Sequence, residues 1–541
     1  PELPASAILA ADSDCIAELS SANPTIAASE DGREMATVLG SRDMSLPELH
    51  ASSLAAFIDR RRLAVMPRSA LRRALVERVS PRLTAFAVQG LADWRPDYSA
   101  RNRITGKQGI IVGATLALLA VFFWSAPVAT FIAIHLAGST FFVACSGLKA
   151  MAVAAFAAPR ARRWRMPADT SDMPVYTVLV ALHREAEIVP QLLVALGQLV
   201  WPRDKLEIKL VCEADDRATI DAIRTLQPRS YVEVIEVAPS LPRTKPKALR
   251  FAMTMITGEF VVLYDAEDRP HPHQLLEAYA RFLSGDRELA CLQAPLAITN
   301  GRRSLLARMF AVEYAGLFNG FLPWLASRQQ PLPLGGTSNH FRRAALEAIG
   351  GWDPHNVTED ADVGVRLYRE GFRAETIALP TLEAAPEEIR VWLPQRTRWL
   401  KGWLATWLVH MRHPSALLAE VGPLSFVTIQ IVLAGMFFSA LLHPVLFVSA
   451  AVYAVMPLFG LSLASWQYWL LGLDFGILLF SYGVFLILGW RAVGAQGRKN
   501  YGAVVAATPF YWLLLSYAAW LALLEFLRHP HRWNKTPHKP G

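Results

Sequence analysis

Long apolar runs in two blocks bracket a polar middle, and that arrangement limits what the chain can fold into more than any other feature. The first block holds Gly109–Trp124 and Val128–Ala158; the second holds Pro423–Pro457, Tyr468–Trp490 and Val504–Leu527. Each run reaches or approaches the roughly 20 residues a helix needs to cross a bilayer. Pro423–Pro457 is too long for one comfortable span, and His443-Pro444 near its middle is placed to turn a hairpin. About six spans are expected, with five or seven as alternatives. Cations crowd the inner edges of the blocks: Arg160, Arg162, Arg163 and Arg165 after the first, Arg396, Arg398 and Lys401 before the second. The positive-inside bias therefore puts the middle in the cytoplasm. A hairpin at His443-Pro444 would leave Arg491, Arg498 and Lys499 outside, whereas one long span would export the basic C-terminus. The hairpin is the expected arrangement.

At 541 residues the chain exceeds one ordinary domain. Residues 1–45, rich in Ala and Ser, are expected to be loosely ordered, and residues 46–103 to form a small basic helical domain. Its arginines, among them Arg60, Arg61, Arg62, Arg68, Arg72, Arg73, Arg78 and Arg82, read as a solvated face, with contact to anionic lipid or a partner as the alternative. No motif there suggests chemistry. Membrane helices are expected over 104–158, the polar domain over 159–394, an amphipathic helix over 395–420, a membrane block over 421–527 and a basic tail over 528–541. The net charge of +8 lies beside membrane segments, so no nucleic-acid partner is expected. Cys15, Cys145, Cys212 and Cys291 lack metal or redox spacing and read as reduced thiols. The chain begins without Met and shows no signal-peptide series, so its first residues are expected to be missing or trimmed.

The polar middle alternates strands and helices. Val175–Leu182, Leu206–Cys212, Tyr231–Val237 and Glu259–Asp265 are short runs rich in β-branched residues, separated by helical stretches such as Ile188–Leu199 and Arg217–Leu226. This predicts an open, mostly parallel α/β sheet covered on both faces, with ligands beyond the carboxyl ends of its strands. The acids gather at those ends. Asp265-Ala266-Glu267-Asp268 follows an apolar strand and suits Mg²⁺ or Mn²⁺ held against a diphosphate, although the tetrapeptide taken alone is more often an acidic strand-end turn. Glu213, with Asp215 and Asp216 behind it, could accept from a nucleobase N–H, and His183-Arg184-Glu185 could meet a nucleoside. Lys245 and Lys247 stand just before a helix, where they could contact a diphosphate, with a surface basic turn as the alternative. In Thr358-Glu359-Asp360 one acid could serve as general base, while Thr358 could also cap the helix Asp362–Glu370. Trp399, Trp403 and Trp407 share one face of a helix. Trp403 and Trp407 read as interfacial anchors, and Trp399, beside Arg398, as a platform for a sugar ring. The aromatic stretch Tyr314–Leu325 is expected to ride the interface as well.

The ordered series Leu182-His183-Arg184-Glu185, Glu213, Lys245-Pro246-Lys247, Asp265-Ala266-Glu267-Asp268, Gly335-Gly336-Thr337-Ser338, Thr358-Glu359-Asp360 and Gln395-Arg396-Thr397-Arg398-Trp399 resembles the membrane-embedded family-2 glycosyltransferases. That group includes cellulose, chitin-oligosaccharide, hyaluronan and poly-N-acetylglucosamine synthases; Trp533–His538 resembles a tail seen in them. The resemblance covers roughly residues 170–541. It implies a GT-A-type domain set between membrane helices, a UDP-sugar or other nucleotide-sugar donor, and Mg²⁺ or Mn²⁺. It further implies that His183, Glu185, Glu213, Lys245, Lys247 and Asp265 meet the donor, and that Asp265 and Glu267, with Asp268 sharing the role, hold the metal. Asp360, beside Glu359, would be the catalytic base, and Gln395, Arg398 and Trp399 would bind the leaving diphosphate and acceptor. Glu267 and Glu213 stand where many members carry Asp. The implied reaction is inverting transfer, expected to polymerise an exopolysaccharide that the membrane helices extrude. Single transfer to a polyprenyl-type or other lipid acceptor is the alternative. A transporter fits poorly, because Asp474 is the main ionisable group within the spans.

Overall fold

The computed structural model describes residues 8, 11–21, 25–30, 33–39, 63–65, 68–156, 169–495 and 497–529. Arg60, Arg61 and Arg62, the cations Arg160 to Arg165, and Trp533–His538 lie outside the described residues. Within residues 1–45, expected to be loose, run helix α1 (Asp12–Leu19) and strands β1 (Thr25–Glu30) and β2 (Arg33–Leu39), which pair antiparallel. Strand β3 (Leu63–Val65) joins β2 in parallel, and the long helix α2 (Arg68–Trp94) follows. The arginines of α2 are not all solvated. Arg72 is buried and pairs with Glu233 at 2.9 Å, which ties α2 to the central domain.

Helices α3 (Gly106–Ser125) and α4 (Pro127–Ala154) form a hairpin and lead to the central domain. That domain runs β4 (Tyr176–Leu182), α5 (Val189–Gly197), β5 (Leu206–Glu213), α6 (Arg217–Thr225), β6 (Val232–Val237), α7 (Lys245–Met253), β7 (Phe260–Tyr264), β8 (Arg269–Pro270), α8 (Gln274–Ser284), β9 (Leu289–Gln293) and β10 (Leu296–Ile298). It continues through α9 (Leu305–Gly316), α10 (Leu322–Ser327), β11 (Asn339–Arg342), α11 (Arg343–Ala348), α12 (Glu359–Arg369), β12 (Arg373–Thr376) and β13 (Thr381–Glu383). The main sheet has seven strands in the order β12-β9-β11-β7-β4-β5-β6. β4, β5, β6 and β7 are parallel, as their continuous apolar runs predict for strands covered on both faces. β11 runs antiparallel to both β7 and β9, so the sheet is mixed. Val178, Val180, Ile208, Leu210, Val262 and Tyr264 fill one core. Each fully buried side chain of this size contributes about 1.5–3 kcal/mol before chain entropy is charged.

The apolar C-terminal half contains α13 (Ile389–His410), α14 (Pro414–Ile429), α15 (Gly435–Val455), α16 (Ser465–Ala492) and α17 (Tyr501–Arg528). Five helical segments among the described residues are long and apolar enough to cross a membrane. The amphipathic helix expected over 395–420 instead starts at Ile389 and stops at His410. The hairpin expected at His443-Pro444 does not form: α15 runs continuously through both residues, and the buried His443 ring bonds Tyr482 Oη at 2.7 Å. The sharp bend lies at Gly422, whose φ of 76° is open to glycine but strained for a residue with a Cβ. Arg491 therefore returns to the central-domain side, where it donates to the carbonyl of Val153 at 2.6 Å. α17 does not stand clear of that domain either. Tyr511 Oη donates to Glu313 at 2.6 Å, Glu525 pairs with Lys401 at 3.0 Å, and Arg103 donates to the carbonyl of Leu527 at 3.0 Å. Within the helical bundle Asp474 is partnered by His135 at 2.6 Å and by the hydroxyl of Ser449.

Candidate active site

Strand ends, one helix start and one long helix converge on a cavity of ≈ 220 Å³ at the carboxyl edge of the sheet. Beyond β4, the carboxylate of Glu185 accepts the N–H of His183 at 3.2 Å, and Asp216 accepts the N–H of Arg184, which has a φ of 55°. At the tip of β5, Glu213 pairs with the fully buried Lys247 at 2.6 Å. Burial raises the Glu213 pKa despite that cation, and its Oε2 has no partner among the described residues. An unpaired buried oxygen is costly unless a ligand reaches it.

Lys245 opens α7 and reaches across the cavity, where Nζ donates to Asp265 and, at 2.7 Å, to the carbonyl of Gly336. Burial alone would depress its pKa, but Asp265, Glu359 and Asp360 outweigh that effect and keep it a cation. The acidic tip after β7 is a tied turn. The N–H of Asp265 donates to Asp268 at 2.7 Å and to Thr337 Oγ1 at 3.2 Å, and the hydroxyl of Thr337 also donates to Asp268. Asp268 is buried, and burial followed by the charges of Asp265 and Glu267 pushes its pKa well above the carboxylate range. Its Oδ1 lacks a partner among the described residues. Asp265 and Glu267 line the cavity and are hard oxygen donors suited to Mg²⁺ or Mn²⁺, so the residues fit a divalent ion. No three His, Cys, Asp or Glu side chains among the described residues are grouped to enclose one alone. A cation there would take its other ligands from diphosphate oxygens or water.

Glu359 and Asp360 begin α12. Thr358 occupies the cap position, but its side chain forms no capping bond, so the capping role expected of it is not met. Burial, then the Asp360 charge, pushes the Glu359 carboxyl up to about 7; burial also raises Asp360. Asp360 Oδ1 is sealed without a partner among the described residues, and Asp360 lines the same cavity. Opposite stands α13. Arg398 donates to the carbonyl of Val357 at 3.2 Å and lines the cavity with Gln395, whose Oε1 is also unpartnered among the described residues. Arg396, also on the cavity wall, forks onto Glu313 at 2.7 and 2.9 Å. Gly402 permits the approach of α13 to this loop, since a Cβ there would fall 2.3 Å from Thr358 Oγ1.

Trp399 lines the cavity, its ring stacked 6.2 Å from Tyr314 and overlaid by the Arg396 guanidinium. Trp403 lines the cavity as well, and Trp407 donates to Gln430 at 2.7 Å while packing edge-on to Phe438. Both are half-buried against other parts of the chain. Tyr314, Leu317, Phe318 and Leu322, from the stretch expected to ride the interface, form the apolar wall together with Leu334 and Met436 of α15. The cavity thus brings together His183, Glu185, Glu213, Lys245, Asp265, Glu267, Glu359, Asp360, Gln395, Arg398 and Trp399, while Lys247 and Asp268 support it from behind. Met436 and Glu383 also reach it. Neither could be singled out in the sequence, one lying in an apolar run and the other alone in a short strand.

Residues 260–524 match the family described as glycosyl transferase family group 2. The chain is 27% identical over 246 residues to a probable glycosyltransferase, YdaM, of Bacillus subtilis, covering 44% of this chain and 57% of that one. It is 25% identical over 319 residues to a beta-monoglucosyldiacylglycerol synthase of Trichormus variabilis, covering 57% and 64% respectively. The match thus spans between half and two thirds of these relatives' lengths. A solved structure of a mannosyltransferase, PcManGT, from Pyrobaculum calidifontis with GDP-Man and Mn²⁺ overlaps with a TM-score of 0.45 at 20% identity, over 73% of this chain and 98% of that one. With its α/β domain set against helices long and apolar enough to cross a membrane, the chain carries a family-2 glycosyltransferase domain.

Proposed function

We propose that the enzyme transfers a sugar, with inversion, from a nucleotide-diphosphate donor to a hydroxyl of a membrane-borne lipid acceptor. The observation that carries this reading is the single cavity, lined by Lys245, Asp265 and Arg398 and also by the apolar side chains of Leu317, Phe318, Leu322, Leu334 and Met436. A sugar chain would leave its hydroxyls unsatisfied against such a wall, whereas an acyl or prenyl chain is stabilised there. The nucleoside would lie by His183, Glu185 and Glu213, and the diphosphate between Lys245 and Arg398. Asp265 and Glu267 would hold Mg²⁺ or Mn²⁺, whose chemistry is to neutralise diphosphate charge. Asp360 takes the proton of the acceptor hydroxyl. The hydroxyl oxygen bonds to the anomeric carbon as the bond to the diphosphate breaks, and Lys245 and Arg398 meet the released charge. The domain is read as facing the cytoplasm at a bacterial inner membrane, the side on which nucleotide sugars are used.

Processive synthesis of an exported glycan is the second reading, favoured by the Trp399 and Trp403 rings on the cavity wall. The test is product analysis of protein reconstituted in vesicles with the catalytic domain outside, given UDP- or GDP-sugars and Mn²⁺. Glycolipid carrying one sugar supports the first reading. Polymer inside the vesicles, protected from added glycosidase, refutes it in favour of the second.

A further inference from the structure

One carboxylate on the cavity wall has no part in this mechanism. Glu383 ends β13, which pairs antiparallel with β8 through Thr381–Pro270 and Leu382–Arg269, so Glu383 falls one step further on, opposite Asp268 of the acidic tip. Its side chain shares a strand face with that of Thr381, which accepts from the hydroxyl of Ser338 at 2.6 Å; that face looks toward the loop under the cavity. The main chain is pinned, since the carbonyl of Glu383 accepts the N–H of Thr299 at 2.9 Å and its hydroxyl at 3.1 Å. Oε2 nevertheless is sealed from solvent with no partner among the described residues. Glu277, a buried acid of the same domain, instead receives N–H groups on both oxygens, from Ala378 and Leu379. An unpartnered carboxylate oxygen on the wall of a substrate cavity is an acceptor in search of a donor.

We propose that Glu383 binds a hydroxyl of the transferred sugar and thereby helps set which sugar nucleotide the enzyme accepts. This rests on the donor assignment above. The position favours the donor over the acceptor: Glu383 lies beside the acids that face the diphosphate, to which the sugar is tethered, whereas the acceptor hydroxyl must reach Asp360, which approaches Gly336 across the cavity. A site that bonds a substrate hydroxyl discriminates strongly against an analogue lacking it, because the protein group is then left unpaired.

The experiment compares wild type with Glu383→Ala and Glu383→Gln across UDP- and GDP-sugars, including epimers and deoxy forms of the preferred donor. Glu383→Ala should lower kcat/KM for the preferred donor by about 10–100-fold and change it far less for the analogue lacking the bonded hydroxyl. Glu383→Gln, which keeps an acceptor oxygen, should recover part of that discrimination. Affinity for the free nucleoside diphosphate with Mn²⁺, measured on the same preparations, should stay within about twofold, which also certifies the fold. An equal loss across the panel, or a parallel fall in nucleoside-diphosphate affinity, overturns the proposal. If wild type and variants discriminate identically, Glu383 alone loses its role. If wild type transfers from no sugar nucleotide, the donor reading falls and this proposal with it.

Discussion

Replacing Asp360 by Asn tests the chemistry most directly, because it changes a proton acceptor into an amide of the same size. Asp360 is the first-turn acid on the cavity wall whose Oδ1 is sealed and unpartnered among the described residues. The cations beside it, Lys245 and Arg398, are held by other groups as well and should stay in place: Lys245 by Asp265 and the Gly336 carbonyl, Arg398 by the Val357 carbonyl. Electrostatic stabilisation of the leaving diphosphate should therefore survive, and only base assistance is lost. Such assistance contributes about 10²–10⁴-fold. We expect the lower half of that range, about 10²–10³-fold or roughly 3–4 kcal/mol, because the adjacent Glu359 can take over part of the role. Donor KM should hold steady or fall, since one negative charge has left the pocket that receives a diphosphate. In wild type kcat should decline as pH falls through the raised carboxyl pKa values, Glu359 lying near 7, because the base form is lost. Asp360→Asn should flatten that decline. The assay is initial-rate release of nucleoside diphosphate across pH 5 to 9. Turnover within tenfold of wild type, with an unchanged pH profile, would refute the assignment.

Chelation of divalent cations should abolish transfer and Mn²⁺ should restore it; full turnover in excess chelator would remove Asp265 and Glu267 from any metal role. Gly402→Ala should reduce kcat at least tenfold with little change in fold, because the new methyl displaces Thr358 and with it Glu359 and Asp360. Wild-type kcat for that variant would show that the loop can yield. Asp353 is buried and accepts the N–H of Ala100 at 2.5 Å, the hydroxyl of Ser99 at 3.2 Å and the N–H of His355 at 3.1 Å. Asp353→Ala should therefore cost about 2–4 kcal/mol of stability, read as a lowered thermal midpoint. An unchanged midpoint would mean that the segment Tyr98–Ala100 does not brace the catalytic loop.

Much of this architecture is visible from residue order alone, where local physics decides. The β-branched runs that end in Glu213 and Asp265 can hardly be anything other than buried parallel strands, and a strand must deliver its last residue to the edge of the sheet. Apolar runs of membrane length are likewise self-evident, since helices that long and that apolar have few other solvents. Tertiary structure decided the rest, because it turns on which side chains meet across long stretches of chain. Pro444 looks like a turn in sequence, yet it sits within a continuous helix packed on its neighbours, and the bend falls where Gly422 can take a positive φ. Arg396 and Arg398 are two residues apart on one helix, and both reach the cavity; only packing neutralises the first on Glu313 and gives the second to the carbonyl of Val357. Arg72 seemed a solvated cation until the fold placed Glu233 beside it. Glu383 carries no motif at all, and its place opposite Asp268 exists only through the pairing of strands more than a hundred residues apart. Hydrophobic period and motif order are local quantities, but the partner of a buried charge is not.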